Sequence, residues 1–178
     1  LPWATLNISN NSRAAFFLLK YAIMALGLAA YFGAARIVIR DTRMAALATF
    51  GLLTTFVMGF LPHVDLMHTV LLATMLAAFL WIGARILVNG SPRDYLLLAA
   101  ITGLGILSKY VFVVLPVAYA VGVALTPRLR TRIKIGPLIL SIVLTLAIIA
   151  PYAWWSYANE YSLFSLAKTI TKGQGPAF

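Results

Sequence analysis

The chain has 178 residues, of which 62% are hydrophobic and only 10% are charged, and its mean hydropathy is +0.95. A soluble domain carries roughly 25% charged residues, so this composition excludes an ordinary soluble protein and indicates an integral membrane protein. The net charge of +10 would point to nucleic acid in a soluble protein. In a membrane protein the same excess is typical of basic cytoplasmic loops, so we expect no nucleic acid partner. The chain contains no cysteine, which excludes disulfides and thiolate metal sites within it.

Apolar segments follow one another along the chain, and none shows the two-residue alternation of a transmembrane β-strand. Each is apolar on nearly all sides, which predicts helices, because lipid cannot satisfy open backbone groups. We therefore expect an all-α, polytopic transmembrane helix bundle with about six spanning segments of roughly 20 residues each. The predicted segments are residues 14–39, 44–61, 66–88, 95–107, 111–125 and 135–157.

Basic residues concentrate in every second connection between these segments. This asymmetry predicts that the basic connections face the cytoplasm, with the amino terminus and residues 158–178 on the outer, periplasmic side of a bacterial inner membrane. The prediction requires Lys109 to separate two helices, since one helix over residues 95–125 would invert everything after it. Nine of the 14 basic residues lie in these connections: Arg36, Arg40, Arg43, Arg85, Arg93, Arg128, Arg130, Arg132 and Lys134.

The predicted domain organisation is a transmembrane domain over residues 1–160 followed by an amphipathic segment over residues 161–178 on the outer face. The chain starts at Leu1 rather than at a methionine and ends abruptly at Phe178. We therefore interpret it as a fragment of a larger membrane domain.

The turn before the third segment carries the first candidates for chemistry. Asp65 is one of only four acids, and it lies between His63 and His68. Its carboxylate could act as a general base, ligate a metal, pair with Lys109, or cap the third helix. The two histidines are of the type that ligates metals, so a divalent metal stays open, but their spacing fits no strong metal motif. We assign no metal ligand.

Lys109 ends the fourth segment directly after Ser108. An ammonium at mid-membrane costs about 2.5–3.5 kcal/mol, so this lysine either extends to the headgroups or binds an anion such as a lipid phosphate. Gly103 and Gly105 would permit close helix packing or a broken helix. Lys20, two turns into the first segment, either extends outward or reaches the same cavity. The predicted outer face gathers a polar group: His63, Asp65, His68, Ser108, Lys109, Asn159 and Glu160.

The order of these features resembles the polytopic lipid-linked-sugar glycosyltransferases of the GT-C superfamily. These are the dolichyl-phosphate-mannose–protein mannosyltransferase-like enzymes, which include the bacterial aminoarabinose transferases of lipid A. The most specific part is the stretch Gly103-Leu104-Gly105-Ile106-Leu107-Ser108-Lys109, which fits the pattern G-L-x-x-L-(S/T)-K. The looser similarity, helix by helix, covers roughly residues 10–160 and includes Pro151 and the tryptophans after it.

The resemblance implies a sugar transfer from a polyprenyl-phosphate donor to a lipid, glycan or protein acceptor on the outer membrane face. It implies that Lys109 meets the donor phosphate and that Asp65 is a supporting acid near the cavity. His63, His68, Ser108 and Glu160 are further candidates for substrate binding. The family's main catalytic acid lies in the first outer loop, so we expect it to precede Leu1 and the fragment alone to be inactive.

Two other functional classes stay open. A transporter or flippase would also place charges at a broken helix near a cavity, and it often shows an inverted repeat. None is visible over these 178 residues. The other class is a non-catalytic membrane subunit.

Overall fold

The computed structural model describes the backbone of residues 10–54 and 67–158, and the side chains of 17–52, 54 and 69–158. All regular structure in these ranges is helical, which confirms the all-α prediction. A 3₁₀ turn over Tyr110–Val113 joins the fourth helix to the fifth. The helices are α1 (Asn10–Ile39), α2 (Thr42–Leu53), α3 (Met67–Val88), α4 (Pro92–Ser108), α5 (Val114–Leu125), α6 (Pro127–Arg130) and α7 (Ile135–Ala158).

Within the described ranges, 3 helices are long and apolar enough to cross a membrane by length and composition. They cover Phe17–Ile39, Thr69–Val88 and Ile135–Ala158, and Tyr110–Leu125 is a shorter apolar stretch. The chain is an integral membrane protein. The number of six spans stays a prediction, because the second predicted segment runs to residue 61, outside the described residues.

Helices α1 and α3 pack side by side and run parallel. The Thr74 hydroxyl donates a hydrogen bond of 3.0 Å to the Ile23 carbonyl. Ten residues further along α1, a Cβ on Gly33 would come within 2.6 Å of the Trp81 ring nitrogen. Because the residue numbers of the contacts rise along both helices, the two helices run parallel. The absence of a Cβ on Gly33 lets their backbones approach.

Helices α4 and α7 form a second parallel pair. The Thr145 hydroxyl lies 3.3 Å from the Ala99 carbonyl that accepts its hydrogen bond. One turn further, a Cβ on Gly103 would come within 2.8 Å of the Ile148 side chain. Two parallel helices need a returning segment between them, and α5 is that segment.

The return of α5 is fixed by its contact with α3. The Tyr119 hydroxyl donates a hydrogen bond of 2.9 Å to the Gly83 carbonyl, and the Phe79 and Tyr119 rings meet edge to face at 5.6 Å. Helix α4 ends at Ser108, one residue before Lys109. The prediction that Lys109 separates two helices is therefore confirmed.

The basic connections come together at one end of the bundle. The Lys134 amide donates to the Tyr95 hydroxyl at 2.9 Å, and its ammonium donates to the Gly90 carbonyl at 3.0 Å. These bonds join the start of α7 to the turn between α3 and α4. The parallel α1 brings its own C-terminal turn to the same end. We call residues 36–43, 85–95 and 126–134 the arginine end, and the opposite end, which holds Lys109, the Lys109 end.

The core lies between α3, α4 and the 3₁₀ turn. Helices α3 and α4 form a hairpin, and large apolar side chains fill the space between them. Two of its rings, Phe79 and Phe112, meet edge to face at 6.1 Å. The buried members are Phe79, Ile82, Ile86, Tyr95, Leu98 and Phe112.

We expect Gly90→Ala to lower the free energy of unfolding by about 1–2 kcal/mol. Gly90 has φ +42°, and a Cβ there would lie 3.0 Å from the Ile86 carbonyl oxygen. Thermal unfolding of the detergent-solubilised protein measures the loss. Gly122→Ala is the control, because a Cβ at Gly122 meets no atom of the described residues within 4 Å. An equal loss in both variants would contradict this account of the turn.

Candidate functional site

The centre of the candidate site is the helix break at Lys109. Its backbone is extended, with φ −157° and ψ 121°. Its amide donates to the Gly105 carbonyl at 3.0 Å, and its own carbonyl accepts from the Phe112 amide at 2.9 Å. The side chain is exposed. The break thus presents an accessible ammonium on a backbone that is held by hydrogen bonds on both sides.

Ser108 adds an unusual polar group to this break. Its hydroxyl oxygen is buried, and no hydrogen-bond partner exists for it among the residues that the structure describes. Leaving a buried hydroxyl without a partner costs about 1–3 kcal/mol, so such groups call for an explanation. A hydroxyl held next to a lysine can donate to the same anion that the lysine attracts.

Lys20 belongs to the interior of the Lys109 end. The residue is only 7% exposed, and it lies seven residues before Gly27. Gly27 packs against Thr74 of α3, so Lys20 shares the α1 face that meets α3. Its burial places Lys20 inside the bundle, and both interpretations, extension outward and a position in the cavity of Lys109, stay predictions.

Comparison with known proteins identifies the family. Residues 1–155 match the family described as dolichyl-phosphate-mannose-protein mannosyltransferase. The chain belongs to this family. The resemblance that the Gly103–Lys109 stretch carries is thereby confirmed.

Two curated relatives come from Rhizobium johnstonii. The lipopolysaccharide core galacturonosyltransferase RgtB is 32% identical over 172 residues, which cover 97% of this chain and 34% of that protein. The lipopolysaccharide core galacturonosyltransferase RgtA is 28% identical over 180 residues, which cover 99% of this chain and 36% of that protein. The chain therefore spans about a third of the length of these relatives. No solved structure gives a significant match.

Several predicted site residues lie outside the described part of this family member. His63, Asp65 and Glu160 fall in the ranges that the structure does not describe, and so does the proposed cap at Asp65. The backbone of His68 lies in the first turn of α3, but its side chain is likewise outside. Ser108 and Lys109 are neighbours in the sequence, and the structure places Lys20 at the same end of the bundle. The rest of the predicted polar group stays a prediction.

A metal site is not formed by the described residues. No three histidine, cysteine, aspartate or glutamate side chains cluster within residues 10–54 and 67–158. The divalent-metal alternative at His63, Asp65 and His68 falls outside those ranges.

Sequence reasoning missed the main polar contact of the arginine end. Asp94 is 2% exposed, and its Oδ2 accepts from the Ser91 hydroxyl at 2.8 Å and the Ser91 amide at 3.2 Å. The Arg85 guanidinium lies 2.9 Å from Oδ1 as an ion pair, although Oδ1 accepts no hydrogen bond of regular geometry from any residue that the structure describes. The signal available was the Ser-x-x-Asp spacing at a proline-started helix, which is a capping box. This contact joins α3 to α4 and lies far from Lys109.

Proposed function

We propose that this chain is part of a membrane glycosyltransferase that takes its sugar from a polyprenyl-phosphate donor and works on the extracytoplasmic face. The observation that carries the proposal is the exposed Lys109 ammonium at a fixed helix break, in a chain of the mannosyltransferase family. The arginine end would face the cytoplasm of a bacterial inner membrane. The names of the two relatives make galacturonic acid the first sugar to test and the lipopolysaccharide core the first acceptor.

In this proposal Lys109 binds the phosphate that leaves with the polyprenyl chain. The bond between the anomeric carbon and the phosphate oxygen breaks, and a bond from that carbon to the acceptor oxygen forms. Negative charge develops on the phosphate, and a fixed cation stabilises it in the transition state more than in the ground state. The Ser108 hydroxyl would donate a hydrogen bond to the same phosphate after a rotation of its side chain out of the buried position.

The proton of the acceptor hydroxyl must go to a general base. By the family resemblance, this base would be an acid of the first outer loop. Asp65 would be a supporting acid that orients the acceptor or a bound cation, and His63, His68 and Glu160 would line the substrate cavity. The transporter alternative has no such need for a base, and family membership favours the transferase.

The test is a transfer assay with the full-length protein in lipid vesicles. We expect sugar to move from polyprenyl-phosphate galacturonic acid to lipopolysaccharide core, with release of polyprenyl phosphate in equal amount. A nucleotide-linked galacturonic acid should give no product. Movement of the donor across the vesicle membrane without transfer would replace the proposal with the flippase alternative.

We expect Ser108→Ala to lower the affinity for the donor by at least about tenfold, since a hydrogen bond to a charged group is worth about 1.5–3 kcal/mol. The same change should leave the unfolding temperature equal or higher, because it removes a buried hydroxyl that lacks a partner among the described residues. Donor KM and thermal unfolding measure the two effects.

Thr145→Ala is the matched control. Its hydroxyl bonds to the carbonyls of Ala99 and Ser141 in the α4–α7 contact. We expect this variant to lose stability and keep its donor KM. If Ser108→Ala behaved in the same way, Ser108 would be structural rather than a substrate ligand.

A further inference from the structure

We propose that the contact between Gly105 and Phe112 positions Lys109 for the donor phosphate. The inference rests on the proposed phosphate-binding role of Lys109 and assigns positioning roles to two residues that would not touch the substrate. The inference follows because Gly105 and Phe112, which pack against each other, also make the two backbone hydrogen bonds to Lys109.

The Phe112 ring occupies the space where Gly105 lacks a side chain. A Cβ on Gly105 would come within 2.6 Å of the Phe112 Cδ1 and 2.7 Å of its Cζ. The ring is 4% exposed and meets the Phe79 ring edge to face at 6.1 Å. Since the ring is enclosed on both sides, it cannot swing away to admit a methyl group at low cost.

The same two residues hold the Lys109 peptide. The Lys109 amide donates to the Gly105 carbonyl at 3.0 Å, and the Phe112 amide donates to the Lys109 carbonyl at 2.9 Å. A displacement of the Phe112 ring therefore moves the amide that fixes Lys109. Shifts of about 1 Å at a positioned charge can cost up to roughly 100-fold in rate, so small movements here are expected to matter.

Gly103 offers a matched control one half-turn away. A Cβ on Gly103 would come within 2.8 Å of the Ile148 Cγ2 and 3.0 Å of its Cβ. Ile148 is β-branched and stiff in its helix, so this clash is also costly. It disturbs the α4–α7 contact and touches neither hydrogen bond of Lys109. Gly103→Ala and Gly105→Ala thus impose similar packing strain with different consequences for Lys109.

The experiment measures the binding of polyprenyl phosphate without a sugar to the full-length protein in detergent, together with its unfolding temperature. We expect Gly105→Ala to weaken binding about tenfold and Gly103→Ala to weaken it less than about twofold. Both variants should lower the unfolding temperature. In the transfer assay, the Gly105→Ala defect should appear in the donor KM.

A second variant keeps the test independent of folding. Phe112→Leu removes the ring atoms that clash with a Cβ at position 105, so Gly105→Ala combined with Phe112→Leu should bind polyprenyl phosphate better than Gly105→Ala alone. Phe112→Leu by itself should weaken binding a few-fold, because the buried Phe112 ring holds the 3₁₀ turn against the core and a smaller side chain packs less well. If the double variant regained its unfolding temperature without regaining the binding of polyprenyl phosphate, the role of this contact would be structural only.

The outcomes separate this inference from the proposed function. If Lys109→Ala leaves the binding of polyprenyl phosphate unchanged, the phosphate role of Lys109 fails. If Lys109→Ala weakens binding while Gly103→Ala and Gly105→Ala weaken it equally, the phosphate role stands and the positioning role is overturned. Loss of binding in Gly105→Ala that Phe112→Leu does not relieve would overturn it as well.

Discussion

Lys109→Ala in the full-length protein is expected to lower the rate of sugar transfer roughly 100-fold or more, because removing one preorganised group from a developing charge costs about 10²–10³ in kcat. The side chain is exposed, so its loss should leave the fold intact. The donor transfer assay gives the rate, and the amount of folded protein in the membrane gives the correction for expression.

Two variants make the Lys109 result specific. Lys109→Arg keeps the positive charge and should retain part of the activity. The retention should be incomplete, because a guanidinium is a planar group with forked donors and an ammonium is a compact point charge. Arg128→Ala removes an exposed cation at the arginine end and should change transfer less than about twofold, since charges beyond a Debye length of about 8–10 Å are screened. Unchanged transfer in Lys109→Ala would refute the phosphate role.

The helices were predictable from the sequence because each apolar run is ended by a charge, a glycine or a proline. The first, third and fifth predicted segments end at residues 39, 88 and 125, where α1, α3 and α5 end in the structure. The predicted basic loop at residues 127–134 instead begins with one helical turn, α6. Pro127 starts that turn, because a proline at the first helical position lacks only an amide that would be unpaired anyway.

The reversal at Lys109 was predictable for a different reason. The residues around it are apolar enough for one continuous helix, and Gly103 and Gly105 permit a break there without requiring one. The distribution of arginines required the break, and the parallel packing of α4 and α7 agrees with that requirement. The distribution of arginines over the whole chain therefore predicted the local break at Lys109.

The contacts between helices could not be predicted from the sequence. Asp94 is adjacent to Arg93, yet its partner is Arg85, which lies across the α3–α4 turn. The enclosure of Phe112 against Gly105 likewise depends on how the 3₁₀ turn folds back on α4. Helices that are apolar on nearly all sides do not indicate which face meets which neighbour, and which side chain fills which gap depends on packing geometry.

Asp94→Ala is expected to lower the free energy of unfolding by about 2 kcal/mol. About 1 kcal/mol is the loss of the two hydrogen bonds that Asp94 Oδ2 accepts from the Ser91 amide and hydroxyl, because the Ser91 cap itself bonds to the backbone of residue 94 and is kept. The remainder is the loss of a buried carboxylate's pairing with Arg85, reduced because the Arg85 side chain is 43% exposed and regains water. Asp41→Ala is the matched control, since Asp41 caps α2 by accepting from the Arg43 amide at 2.7 Å but is itself exposed. It should lose only about 1 kcal/mol.

Thermal unfolding in detergent compares Asp94→Ala with Asp41→Ala, and equal losses would show that the Arg85 pair contributes nothing. Polyprenyl phosphate binding should be the same in both variants, because α4 separates Asp94 from Lys109 by about four turns.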